Sequence, residues 1–318
     1  MKPLLGKLPP SLLLELLSNR GEVRPEVLVG PSVGEDAAVI DLGGRFLVVT
    51  SDPIVGATEG VGFYLVHVNA NDLAAKGAEP AYLVLSVIAP SWGGPSMCLA
   101  ISRQVSEECR KLGIAVVGGH TEVSDRYQHP VVVGTMLGFA DRLLRAEMIR
   151  PGHVLLMTKH AGIEGMTILA AEGFLDDVLS REELEEVLSW RAEVSVLPES
   201  RVLREKALYM HDPTEGGVMG GIYEMTLACG LSLELDPSSI PVHPITARAA
   251  SALGFDPLRL ISSGVLLAVV PAEEAEGMVR AVEGLGVPCS ILGRFVEGRS
   301  SFCPTFGEEL WRMLGSRG

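Results

Sequence analysis

An α+β chain built as two domains is what the sequence predicts, on three observations. Strand and helix patterns are mixed from one end to the other, which places the class at α+β or α/β. The 318 residues and 33.8 kDa are long for a single hydrophobic core. Pro151-Gly152 punctuates the middle, so the domains are read as 1–150 and 151–318.

Leu12 to Leu17 reads as a short amphipathic helix, because the leading L-P-P-S-L-L-L-E-L-L is broken by prolines and Glu15 and does not resemble a signal peptide. Arg20 to Pro31 is rich in turn residues. Ala38 to Leu42 and Phe46 to Thr50 read as two strands of a hairpin joined through Gly43-Gly44, with Asp36 just before it and Asp52 just after it. Val61 to Pro80 opens as a helix apolar enough to be buried, followed by a strand from Tyr82 to Ile88 and a helix from Pro95 to Leu112. Ile114 to Val117 is a strand ending in G-G-H-T-E, and Pro130 to Phe139 is another.

The second half restarts with a strand from Val154 to Thr158, then K-H-A-G-I-E-G and a helix from Met166. Residues 175–190 carry R-E-E-L-E-E, an acidic run that reads as a solvated helix face. Helices are predicted at Arg201 to Tyr209, after M-H-D-P-T-E-G-G, and at Ile245 to Leu253, Ala272 to Leu285 and Gly307 to Leu314. Leu231 to Leu235, Val265 to Val270 and Ser290 to Phe295 read as strands. No repeat of fixed period is visible.

Composition narrows the function classes. With 26 basic against 40 acidic residues the net charge is -14, which repels nucleic acid and anionic membrane surfaces. No apolar run reaches the eighteen or so residues a membrane span needs. Five cysteines (Cys98, Cys109, Cys229, Cys289, Cys303) without a C-x-x-C predict reduced thiols in a cytoplasm. Three Asn, two Gln and twenty Arg against six Lys fit a heat-adapted source or a GC-rich genome.

The chemistry begins with a conflict inside the Val61 helix. Phe63, Leu65, Val66, Val68, Leu73, Ala74 and Ala75 leave little surface for water, yet Asn69, Asn71 and Asp72 sit among them. A carboxylate taken into such a setting without a partner costs several kcal/mol. Asn69 and Asp72 are three apart on one helix face, so one ion or phosphate could meet both; the structural alternative is a polar pair satisfied by backbone amides. Asp36, Asp52, Asp72, Glu122 and Asp212 all stand at predicted element ends beside small residues. Bringing them together costs about 4 kcal/mol per pair at 4 Å and an effective dielectric near 20, so a cation is required. Oxygen ligands without thiolates or paired histidines point to Mg²⁺, which is held by a few carboxylates plus substrate phosphates. No H-E-x-x-H suggests zinc, and no G-x-x-x-x-G-K-[ST] supplies a P-loop.

Each remaining motif has two readings. Asp212-Pro213-Thr214-Glu215 fits a capping box, while the helix start with Gly216 and Gly217 suits a phosphate. Gly118-Gly119-His120-Thr121-Glu122 is either a tight turn or a source of the candidate catalytic groups His120 and Glu122. Lys159 is either a solvated lysine at a helix entry or a nucleotide contact.

The order of the motifs, G-E-D-A-A-V, T-S-D, N-D-L-A-A-K-G-A-E-P, G-G-H-T-E and D-P-T-E-G-G, resembles the superfamily of aminoimidazole-ribotide synthetase (PurM), selenophosphate synthetase, thiamine-monophosphate kinase and the hydrogenase maturation protein HypE. The likeness covers nearly the whole chain and is strongest to the HypE branch. It implies a ferredoxin-like N-terminal domain whose sheet pairs with that of a dimer mate into a β-barrel, a C-terminal α+β domain, and ATP with Mg²⁺ as cofactors. Carried over by position, Asp36, Asp52 and Asp72 would hold Mg²⁺, with Asp212 near the metal; Asn71 and Thr121 would meet phosphate oxygens. Lys159, Thr214, Gly216 and Gly217 complete the expected nucleotide contacts. The activity implied is activation of a carbonyl or amide oxygen by phosphoryl transfer, in a homodimer, with a maturation-complex protein as a further partner.

Two departures leave alternatives open. HypE proteins end in a cysteine that is carbamoylated and dehydrated to a thiocyanate, whereas this sequence ends L-G-S-R-G with Cys303 its nearest cysteine, and Glu215 stands where the HypE motif has Arg. A small-molecule kinase resembling thiamine-monophosphate kinase is one alternative, although that kinase usually has Asp where His120 stands. A non-catalytic nucleotide-binding partner in a maturation complex is the other.

Overall fold

The computed structural model describes residues 10–19, 21–55, 60–298 and 309–315. Beyond the leading helix α1 (Pro10–Leu17), the chain forms two compact units. One takes Arg24–Gly30 and Asp36–Leu143; the other includes Pro31–Glu35 and the chain from Leu144 on.

The first unit is a six-stranded sheet of β1 (Val27–Val29), β2 (Ala38–Asp41), β3 (Phe46–Val55), β4 (Glu79–Pro90), β5 (Ala115–Ser124) and β6 (Val131–Ala140), in the order β1-β2-β3-β6-β4-β5. Only β4 and β5 pair in parallel. Helix α2 (Val61–Ala75) links β3 to β4, and α3 (Gly94–Leu112) links β4 to β5. Because β6 runs antiparallel to both β3 and β4, those two strands are parallel with β6 between them, a split β-α-β arrangement. β1 forms inside the stretch expected to be turns.

Two sequence expectations change here. β3 does not stop at Thr50: β6 pairs with it from Phe46↔Ala140 to Val55↔Val131, so Asp52 lies inside the strand rather than after it. Gly118-Gly119-His120-Thr121-Glu122 is likewise strand, paired with β4 from Gly118↔Val84 to Glu122↔Ile88, and not a tight turn. The register slips by one residue just before this stretch, a bulge that leaves Val117 extra. Gly119, at φ +150°, permits it, since a Cβ there would stand 1.7 Å from the Leu85 carbonyl oxygen.

Helix α2 is buried along nearly its whole length, which accounts for its apolar sequence. It approaches β6 where that strand carries glycines on one face: a Cβ at Gly134 would come within 3.0 Å of Asn69 Nδ2, and one at Gly138 within 2.4 Å of the Glu79 carbonyl oxygen and 2.7 Å of Leu73 Cδ2.

The second unit holds a five-stranded antiparallel sheet of β7 (Val154–Thr158), β8 (Tyr209–His211), β9 (Ser232–Leu235), β10 (Leu267–Val270) and β11 (Cys289–Val296), in the order β8-β10-β7-β11-β9. β7 and β10 are buried at every residue, as their unbroken apolar runs require. The helices are α4 (Ile163–Ala171), α5 (Arg181–Ser189), α6 (Leu197–Leu203), α7 (Gly217–Cys229), α8 (Pro244–Leu253), α9 (Ala275–Glu283) and α10 (Glu309–Leu314). The helix expected from Arg201 to Tyr209 ends at Leu203, because β10 recruits Tyr209 to Met210 and His211 as a strand and buries the tyrosine completely. Its hydroxyl donates to the Gly34 carbonyl. α5 keeps its acidic run exposed, under a Ser180–Glu183 capping box.

Among the described residues no helix is long and apolar enough to cross a membrane. Cys98, Cys109, Cys229 and Cys289 are free thiols; Cys303 lies outside the described residues.

Candidate active site

Three segments of the first unit meet at one hydroxyl. Thr50, on β3 and buried, places its Oγ1 2.6 Å from Asp72 Oδ2 on α2 and 3.1 Å from the carbonyl oxygen of Asp36, two residues ahead of β2. Asp52, two residues further along β3, donates its backbone N–H to Asn69 Oδ1 at 3.2 Å, while Asn69 Nδ2 donates to the Leu65 carbonyl at 2.9 Å. Asn69 therefore fastens β3 to α2 instead of facing an ion together with Asp72, as its helix position had suggested.

Asp36, Asp52 and Asp72 are thus brought together. Burial pushes the Asp72 carboxyl well above the usual carboxylate range, the charge of Asp52 and a hydrogen bond with it raise it further, and the charge of Asp36 adds to both. The Thr50 hydroxyl pulls the other way without prevailing. A hydroxyl has a single hydrogen, so Thr50 bonds Asp72 and Asp36 at once only when Asp72 carries a proton to donate. Among the described residues no three His, Cys, Asp or Glu side chains already form a metal cage. The donor set nevertheless fits Mg²⁺: all the groups are oxygens, and a divalent charge would relieve the burial and crowding that raise the Asp72 carboxyl.

The other expected residues are distributed differently. Asn71 is completely buried in α2. His120, Thr121 and Glu122 are exposed on the edge strand β5, with His120 Nε2 3.3 Å from Glu122 Oε2. Two strands lie between β5 and β3, a separation of about 14 Å at the usual strand spacing, so His120 and Glu122 do not join the acids within one sheet.

In the second unit Asp212 is 2% exposed and follows β8 directly. The capping box expected from Asp212 to Glu215 does not form. α7 starts at Gly217, its N-cap is Gly216 at φ +85°, and no side chain caps it. Close packing sets that start, since a Cβ at Gly217 would stand 2.6 Å from the Leu258 carbonyl oxygen and 2.7 Å from that of Leu260. Thr214 is half-buried just ahead of it. Lys159 is neither solvated nor turned outward. Its Nζ lies 2.7 Å from Glu199 Oε1 and donates to the carbonyls of Glu193, Ser195 and Gly264 at 2.8–2.9 Å, with both charged side chains buried. Those four oxygens take up the three hydrogens of the ammonium, which makes Lys159 a brace between loops.

The roles of Thr50, Asn69 and Glu199 were not read from the sequence. T-S-D carried a signal for Thr50, since a hydroxyl two residues before an acid on a strand lies on the same face; nothing local marks Glu199.

Residues 34–140 match the family model for the AIR synthase related protein N-terminal domain, and residues 150–303 match that for its C-terminal domain. The chain belongs to the AIR synthase related family. This AIR synthase related protein is 30% identical over 284 residues to the hydrogenase expression/formation protein HupE of Azotobacter chroococcum, covering 85% of this chain and 81% of that protein. It is 31% identical over 252 residues to the carbamoyl dehydratase HypE of Azotobacter vinelandii, covering 76% and 71%. Its fold is shared with a solved hydrogenase maturation protein HypE in complex with ATP, at a TM-score of 0.67 and 22% identity over 88% of this chain and 81% of that one.

Proposed function

We propose that this AIR synthase related protein is a HypE-like, ATP- and Mg²⁺-dependent enzyme that activates a carbonyl or amide oxygen by phosphoryl transfer. The observation that carries the reading is the convergence of Asp36, Asp52 and Asp72 from three separate segments, with the charges of Asp52 and Asp36 both acting on the buried Asp72 carboxyl and raising it. The named activity of the carbamoyl dehydratase relative and the ATP held by the solved HypE support it. Asp36, Asp52 and Asp72 would hold Mg²⁺, whose charge lowers the energy of the γ-phosphoryl group as negative charge spreads over it. Asn69 keeps the backbone at Asp52 fixed against α2, so that carboxylate is placed before substrate arrives. Asp212, with Thr214, Gly216 and Gly217 at the start of α7, is proposed for the phosphate side of the nucleotide. Asn71, Thr121, His120 and Glu122 keep the roles their motifs imply, and Lys159 is assigned to structure.

Turnover of ATP measured with Mg²⁺ and a carbamoylated thiol peptide should fall at least tenfold in Asp72→Asn, which keeps shape and removes the charge that meets the cation. Equal rates in the two proteins would remove the reading.

A homodimer is part of the proposal. β5 is an edge strand exposed along nearly its whole length, with Val116, Val117 and Val123 each about half exposed, and such an edge is ordinarily covered. A second copy is the occupant proposed. Val117→Lys should shift the sedimenting species from dimer to monomer; a dimer that survives it, or a wild-type monomer, counts against this arrangement.

A further inference from the structure

We draw no further inference here: the strongest candidate, the side-chain cluster of His160, His243 and Glu186 beside Trp190 in the second unit, brings two imidazole rings to 5.2 Å between centroids and His243 Nε2 to 3.6 Å from Glu186 Oε1, but among the described residues no three His, Cys, Asp or Glu side chains are grouped to hold a metal ion, and nothing else in the structure shows what the cluster would bind.

Discussion

Lys159→Met is expected to destabilise the second unit by about 3–5 kcal/mol, the cost of stranding one member of a buried ion pair. The partner left behind is Glu199, whose side chain is 1% exposed and which keeps only the Thr158 hydroxyl, 3.5 Å from Oε1. Three carbonyls, those of Glu193, Ser195 and Gly264, also lose the donor that gathers them. The backbone gives a further reason: Lys159 is the one non-glycine residue with positive φ among those described, at +57°, and the tether is what holds an L-residue there. Urea denaturation should show the midpoint falling, and melting should drop by roughly 6–20 °C for a unit of this size. The double variant Lys159→Met/Glu199→Leu removes the stranded carboxylate and should recover part of the loss, though not the part owed to the three carbonyls. A phosphate-binding lysine behaves otherwise, weakening ATP while the midpoint stays at its wild-type value. That result would return Lys159 to the nucleotide.

The contrast between Lys159 and Asp72 shows what the sequence makes legible. Asp72 was conspicuous because a carboxylate stood in a helix apolar on every side, a contradiction visible within fifteen consecutive residues. Lys159 followed a strand and preceded glycines, the ordinary setting of a solvated or phosphate-binding lysine, and its actual partners lie 34 to 105 residues further along the chain. The same distinction runs through the fold. β7 was readable end to end because its own apolar run dictates it, whereas the extension of β3 through Asp52 and the strand at Tyr209 depend on β6 and β10, which reach them from elsewhere in the chain. Gly134 and Gly138, inside the strand read from Pro130 to Phe139, are the places where α2 lies close. The acids of the candidate site were legible as residue types in motif order; Thr50 and Asn69, which aim them, were not, because a buried hydroxyl or amide gains its role only from what packs on it.

Stability is also expected to fall as pH is lowered from about 6.5 to about 4, with His160 responsible. Its imidazole is packed against the rings of Trp190 and His243 at centroid distances of 4.7 and 5.2 Å. Burial there pulls its pKa from 6.5 to about 4; the hydrogen bond to the Ala161 carbonyl opposes the shift, and the positive charges of His243 and Lys159 reinforce it. The sign follows from proton counting. Between the two values the unfolded chain binds a proton that the native imidazole refuses, so unfolding is favoured as acid is added, and the stabilisation is complete only above the unfolded value. The full difference corresponds to about 3 kcal/mol as an upper bound, at about 1.4 kcal/mol per pH unit. Carboxylates also titrate toward the acid end, and Asp72 works in the opposite direction, so the measurement has to be a difference. His160→Phe keeps a ring against Trp190 and His243 and removes the titrating group. Denaturation of both proteins from pH 4.5 to 7.5 should give curves that diverge as pH rises, wild type gaining on the variant by up to about one proton's worth per unit. Parallel curves would mean that His160 takes up its proton equally in the native and unfolded chains, and that the ring cluster does not exclude charge.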